Sequence, residues 1–181
     1  LNLRLEASPS DEECVALLLR LGRLYEEMEG GADDAAAEVY REALQLDPQN
    51  PAIIRAIGRV YHRNRSWEQL AALYEHEITV FDGEPFVWRR HFEVASIYED
   101  RLADPTLALE HYAAVLAERP HYLPALKAAA HLMEVQGQWA ELADMFLARV
   151  STTKSVRQRI YMLDKVAEIA EHRLSLDDIA I

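Results

Sequence analysis

Apolar residues along this 181-residue chain recur at spacings of three and four, in stretches separated by Pro, Gly, Asp and Asn. That spacing puts them on one stripe of an amphipathic helix. The clearest stretch, Pro48 to Phe81, reads as two helices joined by a tight turn. Moved forward by 72 residues, it falls on Pro120 to Thr153. Pro48 then meets Pro120, Ala56 meets Ala128, Trp67 meets Trp139, Leu70 meets Leu142, Ala71 meets Ala143 and Tyr74 meets Phe146. Self-similarity of this kind is the signature of a helical-repeat array, and it governs every other reading.

Taken in order, the pattern predicts a first helix from about Glu12 to Glu29. Val15, Leu18, Leu21, Gly22, Tyr25 and Met28 form its inward stripe, Ser10 or Asp11 its cap and Gly30-Gly31 its stop. The partner helix runs to Leu46, with Asp33 and Asp34 at the end that favours acids and Ala36, Tyr40, Ala43 and Leu44 inward. Asn50 and Pro51 open the next pair as cap and first helical residue. That pair spans Pro51 to Asn64 and Trp67 to Phe81, and Ser66 to Gln69 has the form of a capping box. A third pair covers Phe86 to Leu102 and Pro105 to Ala117, and a fourth Tyr122 to Val135 and Trp139 to Val150. A ninth helix runs from Ser155 to Arg173. The resulting repeats are 11–48, 51–82, 85–120 and 122–152, preceded by the end of another at 1–7 and followed by a truncated one at 155–181. A fragment of a longer array is the expectation.

Each inner helix carries a small residue after an apolar one: Leu21-Gly22, Ile57-Gly58, Val94-Ala95, Ala129-Ala130 and Val166-Ala167. A small residue there admits the following helix, with Tyr25, Tyr61 and Tyr98 three positions on to fill the space beside it. The outer helices alternate at the matching site, Ala36, Leu70, Ala108, Leu142 and Ala180, so the true period is two hairpins. Tyr40, Tyr74, Tyr112, Trp67 and Trp139 read as core between successive hairpins rather than as a ligand cage.

These residues carry a resemblance. Leu21-Gly22-Tyr25, Ala36, Tyr40, Ala43-Leu44 and Pro48 follow the order L-G-x-x-Y, A-x-x-x-Y-x-x-A-L, P, and the chain resembles a degenerate, bacterial-type tetratricopeptide repeat array. Other units match more loosely, with Met133 in place of the aromatic and Leu70 and Leu142 in place of the small outer residue. The resemblance implies an all-α chain of antiparallel helix-turn-helix repeats, stacked into a right-handed superhelical solenoid whose inner helices line a concave groove. Carried over position by position, it implies a partner-binding groove containing Arg23, Arg55, Arg59, His62, Arg63, Arg89, Phe92, Lys127 and His131. Beside them stand Glu26, Glu27, Ser96, Glu99, Glu134, Asp164 and Glu168. Some relatives grip a C-terminal carboxylate with Lys and Asn; here Arg55 and Arg59 occupy those sites, and Glu93 and Ser96 do not complete the set.

Charge sharpens the picture. With 31 acids against 19 Lys and Arg, the formal net charge is −12, which disfavours general binding to nucleic acid or an anionic membrane. Yet Arg55, Arg59 and Arg63 share one helix face at i, i+4 spacing, where like charges repel by a few tenths of a kcal/mol. Two readings stay open: the cationic face serves a partner, or acids such as Glu26, Glu27 and Glu99 neutralise it from adjacent helices. No apolar run approaches the roughly 20 residues that span a bilayer, so no membrane insertion is expected. The single Cys14 excludes an internal disulfide and is compatible with the cytoplasm or the periplasm.

Catalytic and metal motifs do not emerge. His76-Glu77-Ile78-Thr79-Val80 begins like a zinc-protease helix, but Val80 stands where the second His belongs. The seven histidines show no i, i+4 pair, Gly30-Gly31 lacks the Lys-Ser/Thr of a phosphate loop, and Asn64-Arg65-Ser66 matches a glycan acceptor only as a short triplet. The expectation is therefore a non-catalytic protein-protein interaction scaffold without cofactor or metal, holding a peptide or partner protein along its groove. Arg55, Arg59, Arg63 and Lys127 would pair with acidic side chains and Phe92 would supply an apolar anchor. Alternatives are a sensory or regulatory arm of a larger multidomain protein, or a structural spacer or self-assembling array.

Overall fold

The structure is a computed structural model and describes residues 10–28 and 32–172. The readings for 1–7, for the Gly30-Gly31 stop and for 173–181, with Ala180 among them, lie outside the described residues. Within them the chain is helical and contains nine helices. They are α1 (Asp11–Glu27), α2 (Asp33–Leu46), α3 (Pro51–Asn64), α4 (Trp67–Val80), α5 (Val87–Ile97), α6 (Pro105–Glu118), α7 (Leu123–Gln136), α8 (Trp139–Val150) and α9 (Val156–His172). A π-helical turn, Tyr98–Leu102, extends α5. The chain divides into two compact units, 1–90 and 91–181.

In the first unit α1 packs on α2, α2 on α3 and α3 on α4, the neighbour-to-neighbour pattern of a repeat array. Ala36, Tyr40, Ala43, Ile53, Ile54, Ile57 and Val60 are fully or almost fully buried between these helices. The ends are set as the sequence implies. Ser10 and Glu13 form a reciprocal capping box on α1, and the Asn50 side chain accepts from Ala52 N–H ahead of Pro51. In the second unit α6 packs on α7, α7 on α8 and α8 on α9, around Tyr112, Val115, Ala125, Leu142 and Phe146. The Asp104 carboxylate accepts from the amides of Thr106 and Leu107 to open α6.

Four local expectations are corrected. The inward stripe of α1 is narrower than its periodicity implies: Val15 and Gly22 are buried, but Leu21 is 39% and Met28 56% exposed. Among the described residues α1 packs chiefly on α2, so only the side facing that helix is covered. The Ser66 side chain makes no cap bond, and its N–H, which a capping box would give to Gln69, donates to the Tyr61 carbonyl at 2.9 Å instead. The space beside the small residues is filled from the following helix. Tyr40 lies against Gly22 and Tyr74 against Gly58, in place of the expected Tyr25 and Tyr61. Finally, Tyr40 and Tyr112 are core, whereas Trp67, Tyr74 and Trp139 are only half-buried, with Trp67 meeting the His62 ring edge-on at 5.4 Å.

Arg65 ends α3 with φ 57, and Gly137 ends α7 at the corresponding position, 72 residues on, with φ 70. An L-residue in the left-handed region is strained where glycine is not. Arg65→Gly is therefore expected to stabilise the protein by about 0.5–1 kcal/mol. Urea unfolding of the two proteins measures it; a lower midpoint for the variant contradicts the strain.

Candidate functional site

Burial of one face of α3 fixes the orientation of the other. With Ile53, Ile54, Ala56, Ile57 and Val60 committed to the core, Arg55, Arg59, His62 and Arg63 emerge on the exposed side. Together with Gly58, Tyr74 and Arg90 they line an open cleft of about 570 Å³ within the first unit. Gly58 leaves the cleft its depth, and the Tyr74 ring forms an apolar wall.

The three arginines are not equivalent. Glu26, reaching over from α1, accepts from Arg59 Nη2 at 3.4 Å and from both Nη atoms of Arg63 at 3.3 Å. Arg63 is also held in a fork by Asp33 at the start of α2, with Nε 2.8 Å from Oδ2 and Nη2 bonded to Oδ1. Glu26 is itself fixed by the buried Tyr40 hydroxyl, which donates to its Oε1 at 2.7 Å. Burial and that bond push the Tyr40 hydroxyl far above the ordinary phenol range, so it remains a donor across the physiological range. Arg55 pairs with no acid among the described residues. Arg90 is occupied at the far wall, with Nε 2.8 Å from Glu77 Oε2 and its guanidinium 4.1 Å from the Tyr74 ring centroid.

Neutralisation from the adjacent helices is thus partial. Glu26 and Asp33 hold Arg63 and restrain Arg59, while Arg55 stays open. Exposed ion pairs of this sort contribute little to stability; their main effect is to set where the guanidinium groups stand. Of the other two expected neutralisers, Glu27 is exposed on α1 and Glu99 accepts the Tyr112 hydroxyl at 2.6 Å in the second unit.

The hydrogen bond from Arg63 holds Asp33 below the ordinary aspartate range. A depressed carboxylate contributes stability above its unfolded-state pKa and loses it as pH falls through the folded value. The contribution should therefore be complete at neutral pH and fade below about pH 4. Asp33→Asn is expected to remove it, so the difference in thermal stability between variant and parent should shrink as pH falls below about 4. A difference that stays constant as the pH is lowered through the acid range contradicts the assignment.

The remaining predicted groove residues lie on other helices. Arg23 is exposed on α1, and Arg89 carries its guanidinium 5.4 Å from the ring centroid of Trp88. In the second unit Phe92 is half-buried against the rings of Tyr112 and Tyr122, at 5.7 and 5.3 Å, and is packing more than an open anchor. Lys127 and His131 are exposed on α7. Sequence reasoning missed Asp33, Tyr40 and Arg90 as parts of this constellation. Tyr40 was visible as core, but its hydroxyl partner could be found only once α1 and α2 were placed side by side.

Among the described residues no three His, Cys, Asp or Glu gather as metal ligands, and no helix is long and apolar enough to cross a membrane. His76 instead lies 3.1 Å from the Pro48 carbonyl oxygen through Nε2, and Glu77 is buried with Arg90. The arrangement is that of a helical-repeat protein, with neighbouring hairpins packed on one another within each unit.

Comparison with known proteins makes the class specific. The family model described as TPR repeat matches residues 25–64. Over 87 residues the chain is 29% identical to the photosystem I assembly protein Ycf3 of Prochlorococcus marinus (strain MIT 9303), a match covering 48% of each chain. The chain thus spans about half the length of the curated relatives it matches. Among solved structures it is similar to a tetratricopeptide repeat protein from Parabacteroides merdae ATCC 43184, with 20% identity, TM-score 0.52, and coverage of 86% of this chain and 64% of that one. It is likewise similar to MamA AMB-1, with 19% identity, TM-score 0.51, and coverage of 95% and 81%. At these identities the structural likeness concerns the fold. Residues 25–64 thus match the tetratricopeptide repeat model, and the helical hairpins of the described residues have the fold of tetratricopeptide repeat proteins.

Proposed function

We propose that this chain holds a partner protein through the exposed face of α3, taking an acidic peptide segment into the cleft beside Gly58 and Tyr74. The observation that carries the reading is Arg55. On a chain of net charge −12 it stands without an acid partner among the described residues, at the mouth of a cleft whose other arginines are already positioned. A bound carboxylate would meet Arg55 directly and Arg59 by displacing its long 3.4 Å contact with Glu26, forming charge-assisted bonds in a preorganised setting. The relative matched over about half its length is named as a photosystem I assembly protein, which accords with a role in holding other polypeptides.

The test uses a display library of random peptides selected against the chain. Acidic sequences should be enriched, and Arg55→Glu with Arg59→Glu should weaken the selected peptides at least tenfold. Both side chains are exposed, so the variant should keep the parental circular dichroism spectrum. Selected peptides without acidic bias, or unchanged affinity in the variant, contradict the reading.

A further inference from the structure

The opposite edge of α3 borders a second cleft, of about 410 Å³, that the arginine face does not share. Successive helical residues are rotated by about 100°, so Tyr61 and Asn64 project roughly half a turn away from Arg55, Arg59 and Arg63. The cleft lies within the first unit, between α2 and the start of α4. Asp34, Glu38 and Arg41 line it from α2 at i, i+4 and i+7. Ser66 and Gln69 line it from the other side, with Tyr61 and Asn64 of α3 between. Glu38 is bonded to Arg41. The side chains of Asp34, Tyr61, Asn64, Ser66 and Gln69 make no hydrogen bond to the protein among the described residues. Ser66 and Gln69 are the pair whose spelling predicts a capping box; with the box unformed, a hydroxyl and an amide are left to the cleft. Burial pushes the Tyr61 hydroxyl above the ordinary phenol range, so at neutral pH it stays protonated and can both donate and accept.

We infer that this cleft binds a neutral sugar ring, whose neighbouring hydroxyls bridge from the α2 side to Asn64, Ser66 and Gln69. The volume falls within the range of small-ligand sites, but most such sites are lined by apolar side chains. This lining is polar, and it selects a ligand dense in hydrogen-bonding groups. Charge decides against an ion. The Arg41 guanidinium opposes a cation and the Asp34 and Glu38 carboxylates oppose an anion, and a charge leaving water needs an opposite partner to itself. Vicinal hydroxyls meet no such conflict: each donates once and accepts, and amide and carboxylate groups offer both complements. The constellation is also particular to this hairpin. At the matching place 72 residues on, Asp34, Arg41 and Tyr61 become Thr106, Ala113 and Met133. The phenol, the guanidinium and one carboxylate are missing there, so packing of hairpin on hairpin requires none of the three.

The test titrates the chain with the methyl glycosides of glucose, galactose, mannose and N-acetylglucosamine, followed by backbone amide NMR. At least one glycoside is expected to give saturable shifts at Ala37 and Ser66. Asn64→Ala with Gln69→Ala should weaken it by about tenfold, and Tyr61→Phe, which removes only the hydroxyl, by several-fold. Asn64 and Gln69 are exposed, so their variant should keep the parental circular dichroism spectrum; if it does not, Tyr61→Phe decides. The tetrasaccharide of the same sugar separates the sources: tighter binding marks the end of a polysaccharide, and equal binding a free sugar. Arg55→Glu with Arg59→Glu should leave the shifts intact, so this site and the α3 face succeed or fail separately. The inference is overturned if no glycoside shifts Ala37 and Ser66, if glycerol at the same concentration shifts them equally, or if both cleft variants bind as the parent does. It is equally overturned if acetate, methylguanidinium or glycine shifts these amides where the glycosides do not.

Discussion

Gly22→Ala is expected to destabilise the protein by about 3 kcal/mol, while Gly58→Ala is expected to be neutral or to stabilise it by up to about 1 kcal/mol. The two glycines occupy the same repeat position, and helix propensity favours alanine at both. Their surroundings differ. A Cβ at Gly22 would lie 2.2–2.7 Å from three ring atoms of Tyr40, whereas one at Gly58 would lie 3.5 Å from the Tyr74 ring, an ordinary contact. Tyr40 is fully buried and tied through its hydroxyl to Glu26, so its ring has nowhere to retreat. Urea denaturation of the two variants measures the contrast. Equal effects would show that the α1–α2 interlock is looser than the ring contact implies.

The second large effect concerns Glu26, which joins the fold to the proposed site. Glu26→Ala strands the buried Tyr40 hydroxyl without its acceptor, at a cost of about 2 kcal/mol. Glu26→Gln keeps an acceptor for that hydroxyl and should cost much less. Both changes remove the negative charge that restrains Arg59 and shares Arg63 with Asp33. Both should therefore strengthen capture of an acidic peptide by the α3 face, while only the Ala variant loses substantial stability. Thermal melts paired with peptide titrations separate the two consequences. A Gln variant that binds acidic peptides more weakly than the parent would mean that Glu26 belongs to the binding surface itself.

The hairpins and their caps were legible in the sequence because each rests on local chemistry. Asn50-Pro51 and Asp104-Pro105 start helices by themselves, and the 72-residue register pairs Trp67 with Trp139 without reference to contacts. The orientation of α3 was legible for the same reason: its apolar positions fix its exposed arginines. Longer-range pairings were hidden. That Tyr40 rather than Tyr25 fills the gap at Gly22 depends on how two helices meet, which a one-dimensional period does not encode. Ser66 shows the converse failure, since its capping-box spelling is not realised and its N–H bonds back to Tyr61 at the end of α3.

The most direct test of the central claim is the affinity of one selected acidic peptide for three proteins at two salt concentrations: the parent, Arg55→Glu with Arg59→Glu, and Glu26→Gln. The expected order is Glu26→Gln tightest, parent intermediate and the double variant weakest, with differences that shrink as salt rises. Equal affinities for all three proteins, or an order unaffected by salt, would contradict a cationic α3 face as the partner-binding site.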